Sequence, residues 1–395
     1  MKIYADNAST TKLDPCVLEE MLPFLKEDFG NPSSLHSKGL FAQRAVDKAR
    51  LIISESIGVN PEEIIFTSGA TESDNLAIKG IAYANKDSTR KKIITTKIEH
   101  DAVLKTFEQL SLEGFETVFL NVDKEGFVKL DELKKELTEK TLLVSIIHAN
   151  NEIGTIQDIK TISELCHNVG AIFHTDATQS YTKIPINIKD LNIDLMTMNA
   201  HKLHGPKGVG ALYIKEGLKI KPLFGGGGQE FKIRSGTYNV AGIVGFGKAV
   251  EIQTKQIEKN SDYIKSLRDE LYQKLSKIEN SKINGPTDLS KEKRLVNNLN
   301  IRFSGIEGEA MLFRLDDLGI MVSTASACSS QSLKPSHVLM ACGLSHEQAH
   351  GSLRFSLSKF NHPSEIPIIA TAVEKVVTDL RKLSPLVGLR KQKVN

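Results

Sequence analysis

The sequence predicts an α/β fold, with a large, mostly parallel sheet covered by helices and a smaller α+β unit beside it. Three observations predict this. Between residues 64 and 214, short apolar runs alternate with amphipathic helix-like runs, as they do in a parallel sheet with helical crossovers. Several of the short runs, such as Leu195-Met196-Thr197-Met198, are apolar on nearly every position, as strands covered on both faces are. The third is a break at Gly225-Gly226-Gly227-Gly228, after which a long helical stretch leads into a second set of elements.

In chain order, residues 1–11 form a short extended segment, and Asp14-Pro15 starts a helix over 17–25. Gly30-Asn31-Pro32-Ser33-Ser34 is a polar loop, and 42–57 is a helix rich in alanine and i,i+4 charges. Strands follow at 64–67, 93–96, 117–120, 142–148, 171–174, 194–198 and 210–214. Helices lie between them at 72–84, 102–113, 130–137 and 159–169. Residues 240–277 are helical with one break near Asn260, then come strands at 298–303 and 353–356 and a final helix at 366–383. The large domain is assigned to 16–257. The small one takes 1–15 and 258–395 and carries a Ser/Ala-rich segment at about 321–334.

The 395 residues can bury a sizeable core, and 40% hydrophobic with 25% charged residues is an ordinary soluble balance. A net charge of +3 argues for neither nucleic acid nor membrane partners, and no stretch approaches transmembrane length. Cys16, Cys166, Cys328 and Cys342 make no Cys-x-x-Cys pair and no zinc-like spacing with histidine, so no metal is expected and a reducing cytoplasm is. The terminal Arg390-Lys391-Gln392-Lys393 reads as a frayed tail.

In an open parallel sheet, ligands sit beyond the carboxyl ends of the strands. Five polar features fall there: Gly69-Ala70-Thr71, His100, Asn151, Asp176 and Lys202. The turn before helix 72–84 offers backbone N–H groups and a positive dipole end to a phosphate, although a plain capped helix would look the same. Lys202, between His201 and His204 and ahead of Gly205-Pro206, has the setting of a Schiff-base lysine. Taken alone it would be an ordinary loop lysine. Asp176 changes that, because a carboxylate at a strand end needs a partner. A pyridinium nitrogen is one, and Lys202, 26 residues on with one strand between, can flank the same ring.

These motifs resemble those of the NifS/IscS-type cysteine desulfurases, fold-type-I pyridoxal-phosphate enzymes of the aminotransferase class V family. The likeness rests on Ala70-Thr71-Glu72-Ser73, Glu99-His100, Asn150-Asn151-Glu152-Ile153-Gly154, Asp176-Ala177-Thr178-Gln179, His201-Lys202, Gly205-Pro206-Lys207-Gly208, Arg234-Ser235-Gly236-Thr237 and Ser326-Ala327-Cys328, and spans nearly the whole chain. It implies that Lys202 holds pyridoxal 5'-phosphate covalently and moves protons at the substrate Cα. His100 would stack on the ring and carry protons, Asp176 would pair with the ring nitrogen and Gln179 with the phenolate oxygen. Ala70, Thr71 and His201 would hold the phosphate, and Asn199, where many members have serine, would donate to it as well. Thr237 would reach the phosphate of a partner subunit, which implies a homodimer. Asn151 and Arg354 would bind the substrate carboxylate.

Cys328 lies in a run of small residues, Ser323-Thr324-Ala325-Ser326-Ala327-Cys328-Ser329-Ser330, and the resemblance makes it the nucleophile that takes up sulfur as a persulfide. The implied reaction is L-cysteine to L-alanine, with sulfur passed to an iron–sulfur scaffold or another acceptor protein. A selenocysteine lyase or a class V aminotransferase is the alternative. His36, His148, His174 and His204 are read as structural, Gly225–Gly228 as a hinge, and the glycines at 242, 245 and 247 as aids to close helix packing.

Overall fold

In the computed structural model, residues 2–324 and 335–383 are described. The strands in chain order are β1 (Ile3–Tyr4), β2 (Ile64–Thr67), β3 (Lys92–Thr96), β4 (Glu116–Leu120), β5 (Thr141–Ser145), β6 (Ile172–Asp176), β7 (Leu195–Asn199), β8 (Gly210–Ile214), β9 (Ser281–Ile283), β10 (Asn298–Phe303), β11 (Ile320–Met321), β12 (Ser323–Thr324) and β13 (Ser352–Ser356). The central sheet has the order β2-β8-β7-β6-β5-β3-β4. Its neighbours run parallel except at β8, which is antiparallel to both β2 and β7. The link from β7 to β8 contains no helix long enough for a crossover, so the chain returns beside itself.

Successive strand residues point to opposite faces, which divides the sheet's apolar side chains into two cores. Ile64, Phe66, Ile94, Val144, Phe173, Met196 and Met198 pack under helices Ser37–Glu55 and Val240–Thr254. Ile65, Ile93, Leu143, Leu195 and Leu212 pack under helices Ala70–Ala84 and Asp101–Leu112. Covered on both sides, β2, β3, β5, β7 and β8 are buried along their whole length. Gly247 does what its glycine pattern predicts. A Cβ there would lie 2.8 Å from Ala49 Cα, so only glycine lets helix Val240–Thr254 come this close to Ser37–Glu55.

A separate core forms around an antiparallel sheet of order β12-β13-β10-β9. Helices Ile257–Leu275, Gly308–Asp317 and Glu365–Leu383 contribute Leu271, Met311 and Val373 to it, facing Ile301, Phe303, Leu353 and Phe355. Ile3 and Ala5 belong to this core as well, and β1 pairs in parallel with β11. Among the described residues, no helix is long and apolar enough to cross a membrane.

Several boundaries differ from the sequence reading, and the helix expected over 42–57 is Ser37–Glu55. The strand expected over 142–148 is β5 and stops at Ser145, although Ile146 N and His148 N still donate to His174 O and Asp176 O at 3.1 and 2.9 Å. β6 runs on through Asp176, so that carboxylate closes the strand instead of following it. The long helical stretch breaks at residues 255–256 rather than near Asn260, leaving helices Val240–Thr254 and Ile257–Leu275. β9, β11, β12 and the helices His337–Ala341 and His346–His350 have no counterpart in the sequence reading. At two to five residues each, they are too short to show a period.

Candidate active site

The parallel strands deliver their following residues to one edge of the sheet, as the topology requires. His100 follows β3 and N-caps helix Asp101–Leu112, its Nδ1 accepting from Ala102 N at 3.1 Å, which leaves the ring proton on Nε2. Asp176 ends β6 and Asn199 ends β7. Ala70, Thr71, His100, Asn151, Asp176, Gln179, Asn199, His201, Lys202 and Arg354 all line one cavity of about 640 Å³. Thr237 is exposed and is not part of that lining. Cys328, with the rest of 325–334, lies outside the described residues.

Lys202 sits in a tight turn after β7. Leu203 N and Gly205 N both donate to Ala200 O, and Lys202 N leans on Asn199 Oδ1 at 3.4 Å. Asn199 therefore shapes the lysine's own turn while lining the cavity. The Lys202 amine donates to Ala8 O and Ser9 O, both at 2.6 Å. The strap that carries those carbonyls is tied to the same turn. Thr11 N and Oγ1 donate to His201 O at 3.0 and 2.8 Å, His204 N donates to Thr11 Oγ1 at 2.8 Å, and His201 Nδ1 meets Thr10 Oγ1 at 3.1 Å.

Asp176 accepts from Thr178 N at 2.8 Å. Gln179 Nε2 donates to Ala8 O at 2.9 Å, while its Oε1 is buried with no protein partner among the described residues. Arg354, in β13, donates through Nη1 to Asn151 O at 3.0 Å and through Nη2 to Asp6 Oδ1 at 3.0 Å and Ser9 Oγ at 2.7 Å. Its Nε is buried without a partner among the described residues.

The phosphate-type corner is the start of helix Ala70–Ala84. Its N-cap is Gly69 at φ +154°, with no side-chain capping bond. Glu72 folds back over the helix start: its Oε2 accepts from Ser68 N at 2.9 Å, and its Oε1 accepts from Arg234 Nε at 2.7 Å. No side chain caps the helix at Gly69, and Ala70 and Thr71 line the cavity at its positive dipole end. Gly210 is needed beside it, since a Cβ at that position would lie 2.8 Å from Gly69 Cα.

Burial governs the charge of the surrounding groups. Burial, then Lys202, Lys207 and Lys183, push His201 down to about 4, so it is a neutral hydrogen-bonding ring. Behind Asp176, burial and then the Asp176 charge raise Asp74 well above the carboxylate range. Burial is also the largest cause lifting Glu99 to about 8, against bonds from Thr96 and Ile147 N that lower it. Burial thus favours the protonated form of both acids beside a site lined by Asp176.

Three of the four histidines read as hydrogen-bonded structural groups are so: His36 caps its helix, His174 bridges Ser145 and Thr197, and His204 meets Lys12 O, whereas His148 is buried with its Nδ1 unpartnered among the described residues. Sequence reasoning missed Ala8, Ser9, Thr10, Thr178 and Lys207, all in the cavity lining, and Asp6, the partner of Arg354. The contacts of Ala8 and Ser9 with Lys202 are made by backbone carbonyls, which leave no mark on residue type.

Pyridoxal phosphate matches this donor set on four counts. An amine stands ready for its aldehyde, and a carboxylate at a strand end for its ring nitrogen. A helix start without side-chain cap suits its phosphate, and the orphaned Gln179 Oε1 and Arg354 Nε mark polar surface that the protein itself does not satisfy. The volume lies within the range of about 300–1,000 Å³ usual for such ligands.

The aminotransferase class-V family profile matches residues 3–369. A cysteine desulfurase IscS of Clostridium botulinum is 50% identical, over 98% of this chain and 96% of its own length. Among solved structures, a NifS-like protein superposes with a TM-score of 0.90 at 40% identity, covering 96% of this chain and all of that one. The protein SspA, solved in complex with cysteine, gives a TM-score of 0.81 at 35% identity, over 92% of this chain and 100% of that one.

Proposed function

Because the chain belongs to the aminotransferase class-V family, and within it to the cysteine desulfurases, we propose that it converts L-cysteine to L-alanine and passes the sulfur, as a persulfide on Cys328, to an acceptor protein of iron–sulfur cluster assembly. The observation that carries this reading is the convergence of Lys202, Asp176, His100, Gln179 and Arg354 on one cavity.

The cofactor is pyridoxal 5'-phosphate, and when bound it supplies an electron-withdrawing ring that makes the substrate Cα–H acidic and weakens the Cβ–S bond. Lys202 holds it covalently, Asp176 keeps its ring nitrogen protonated, and the N–H groups at Ala70 and Thr71, with His201 and Asn199, hold its phosphate. The second N–H of Gln179 Nε2, beyond the one given to Ala8 O, is available to the phenolate oxygen. With the cofactor bound, the Lys202 amine, steered by Ala8 O and Ser9 O, would take the proton from the substrate Cα. Arg354 and Asn151 fix the substrate carboxylate, and His100 covers the ring and returns a proton through Nε2.

The sulfur step balances without an external oxidant. The Cβ–S bond breaks and the sulfur atom is added to the Cys328 thiolate. The bonding pair stays with carbon, and a proton completes alanine.

Leu25, Phe29, Leu35 and Phe41 are exposed on or between helices Pro15–Lys26 and Ser37–Glu55, Phe29 by 72% and Leu35 by 90%. An apolar face of that extent supports a homodimer, with exposed Thr237 reaching the partner's phosphate. The free thiols Cys16, Cys166 and Cys342 support a reducing, cytoplasmic setting. The test is direct. One portion of the purified protein is reduced with borohydride and its peptides mapped, and an untreated portion is assayed for alanine from L-cysteine without any keto acid. A pyridoxyl group on Lys202 and keto-acid-independent alanine are expected. Label on another lysine removes the assignment, and a keto-acid requirement turns the reading to an aminotransferase.

A further inference from the structure

Arg354 does not stand alone at the cavity. Its strand, β13, is bonded on one side to β10 and on the other to β12, and its side chain is only 5% exposed. Three acceptors fix the guanidinium: Asn151 O takes Nη1 at 3.0 Å, and Asp6 Oδ1 and Ser9 Oγ take Nη2 at 3.0 and 2.7 Å. Ser9 Oγ in turn donates to Asp6 Oδ1 at 2.8 Å, so the two groups on Nη2 act as one unit. Nε is the buried donor left without a protein partner among the described residues. Ser9 lines the cavity and Asp6 does not, so Asp6 holds Arg354 from outside it. The same short stretch reaches the other end of the site, since Ala8 O and Ser9 O accept from Lys202 Nζ at 2.6 Å. The place of Asp6 does not depend on its ion pair. Its backbone bridges to Ser356, with Ser356 N donating to Ala5 O at 2.7 Å and Asn7 N to Ser356 O at 3.1 Å.

We propose that Asp6 is a positioning residue for substrate recognition: with Ser9 it occupies Nη2 of Arg354, fixes the guanidinium plane and leaves Nε–H for the α-carboxylate, at a spacing from Lys202 set by residues 6–9. The inference rests on the reading of Arg354 as the carboxylate-binding residue of the desulfurase and adds the group that orients it. A guanidinium already held in place loses less freedom when substrate arrives. An α-amino acid carries its carboxylate one bond from Cα, the carbon whose proton Lys202 takes, so donor and amine must keep a fixed spacing. Two effects of Asp6 oppose each other. Its charge repels a substrate carboxylate bound to the same guanidinium, and its geometry orients the donor that binds that carboxylate. The Asp6 side chain is 18% exposed, so water weakens the repulsion, whereas nothing offsets a lost orientation. Orientation should therefore win, and removing Asp6 should loosen the substrate rather than tighten it.

The experiment titrates the full-length, cofactor-loaded protein with two amines and follows its visible absorbance. One is L-alanine, and the other is ethylamine, which is L-alanine without its carboxylate. Wild type is compared with Asp6→Ala, Asp6→Asn and Ser9→Ala, with circular dichroism to confirm folding. In Asp6→Ala the dissociation constant for L-alanine should rise about tenfold, as for one charge-assisted bond lost, while that for ethylamine stays within about twofold. Asp6→Asn keeps an acceptor without the charge and should lie between wild type and Asp6→Ala. Ser9→Ala should weaken L-alanine by a smaller factor, again sparing ethylamine. Tighter L-alanine binding in Asp6→Ala would show that charge outweighs orientation and overturns the proposal, and an unchanged constant overturns it too. An equal loss on both amines makes Asp6 only a tie of the fold. If Asp6→Ala does not fold, Asp6→Asn and Ser9→Ala decide by the same comparison of the two amines. The titration needs no turnover, so a wild type that forms no alanine from L-cysteine refutes the desulfurase reading and leaves this test in force.

Discussion

Arg354→Lys separates substrate recognition from scaffolding, because the geometry states which donors are committed. A guanidinium has five N–H donors. Asn151 O, Asp6 Oδ1 and Ser9 Oγ take three of them, at 3.0, 3.0 and 2.7 Å, and the unpartnered Nε–H is one of the two that remain. The buried Nε–H can give a substrate carboxylate one charge-assisted bond, the Nη2 hydrogens beside it being held by Asp6 and Ser9. Lysine keeps the charge, and with it the attraction to Asp6, but has no such Nε–H to offer. One charge-assisted bond lost in a buried site costs about 1.5–3 kcal/mol, so KM for L-cysteine should rise about tenfold to a hundredfold. The fall in kcat should be smaller, since a carboxylate contact is made before and during reaction alike. The assay is steady-state alanine or sulfide production from L-cysteine and, in parallel, sulfide release from cysteamine, which has no carboxylate. The variant should narrow the preference for cysteine over cysteamine by the same factor. A KM within threefold of wild type, or equal losses on both substrates, would refute the assignment and leave Arg354 as a tie between β13 and the amino-terminal strap.

Cys328→Ala should abolish persulfide formation and sulfur transfer while the cofactor's visible absorbance survives; loss of the absorbance would make the residue structural. Glu230→Ala should destabilise the protein by about 3–5 kcal/mol in denaturant unfolding at fixed protein concentration. Glu230 is buried, holds Arg50 by a bidentate pair at 2.5 and 2.9 Å, accepts from Phe66 N at 2.6 Å, and supports three successive residues at positive φ. A loss below about 1 kcal/mol would show that the pair contributes little. Acid should destabilise the fold earlier than carboxylate titration alone predicts. Burial brings His148 and His204 down to about 4 and His174 to about 3, so the unfolded chain takes up protons first as pH falls below about 6.5. Stability should then drop by up to about 1.4 kcal/mol per pH unit for each histidine until the folded values are reached near pH 4. Unfolding midpoints that stay flat from pH 7 to pH 5 would contradict this.

The sheet and most of the cavity were legible because their signals are local. An apolar run ending in a polar residue and a glycine marks a strand end, and strand ends of a parallel sheet share an edge, which is how Asp176, His100 and Lys202 can be placed together without coordinates. The alternation does not show direction, so β8 gives no sign in sequence that it runs against its neighbours. Lys183 is illegible for a different reason. In Tyr181-Thr182-Lys183-Ile184-Pro185 it looks like a surface charge, and only the placement of residues 253–261 and 296–297 nearby makes it part of a cavity lining. Asp6 and Arg354 are 348 positions apart, and nothing in either neighbourhood names the other.

The strap that steers Lys202 has a consequence for how the protein is made. Ala5 is clamped between Met321 O and Ser356 N, and Asn7 and Ala8 close on Ser356, so residues 5–8 must wait for residues more than 300 positions later before they find their places. The large sheet can assemble while synthesis continues, but the catalytic pocket cannot finish until β13 has emerged. A nascent chain that stops short of β13 would therefore lack the seam that closes the pocket on the vitamin.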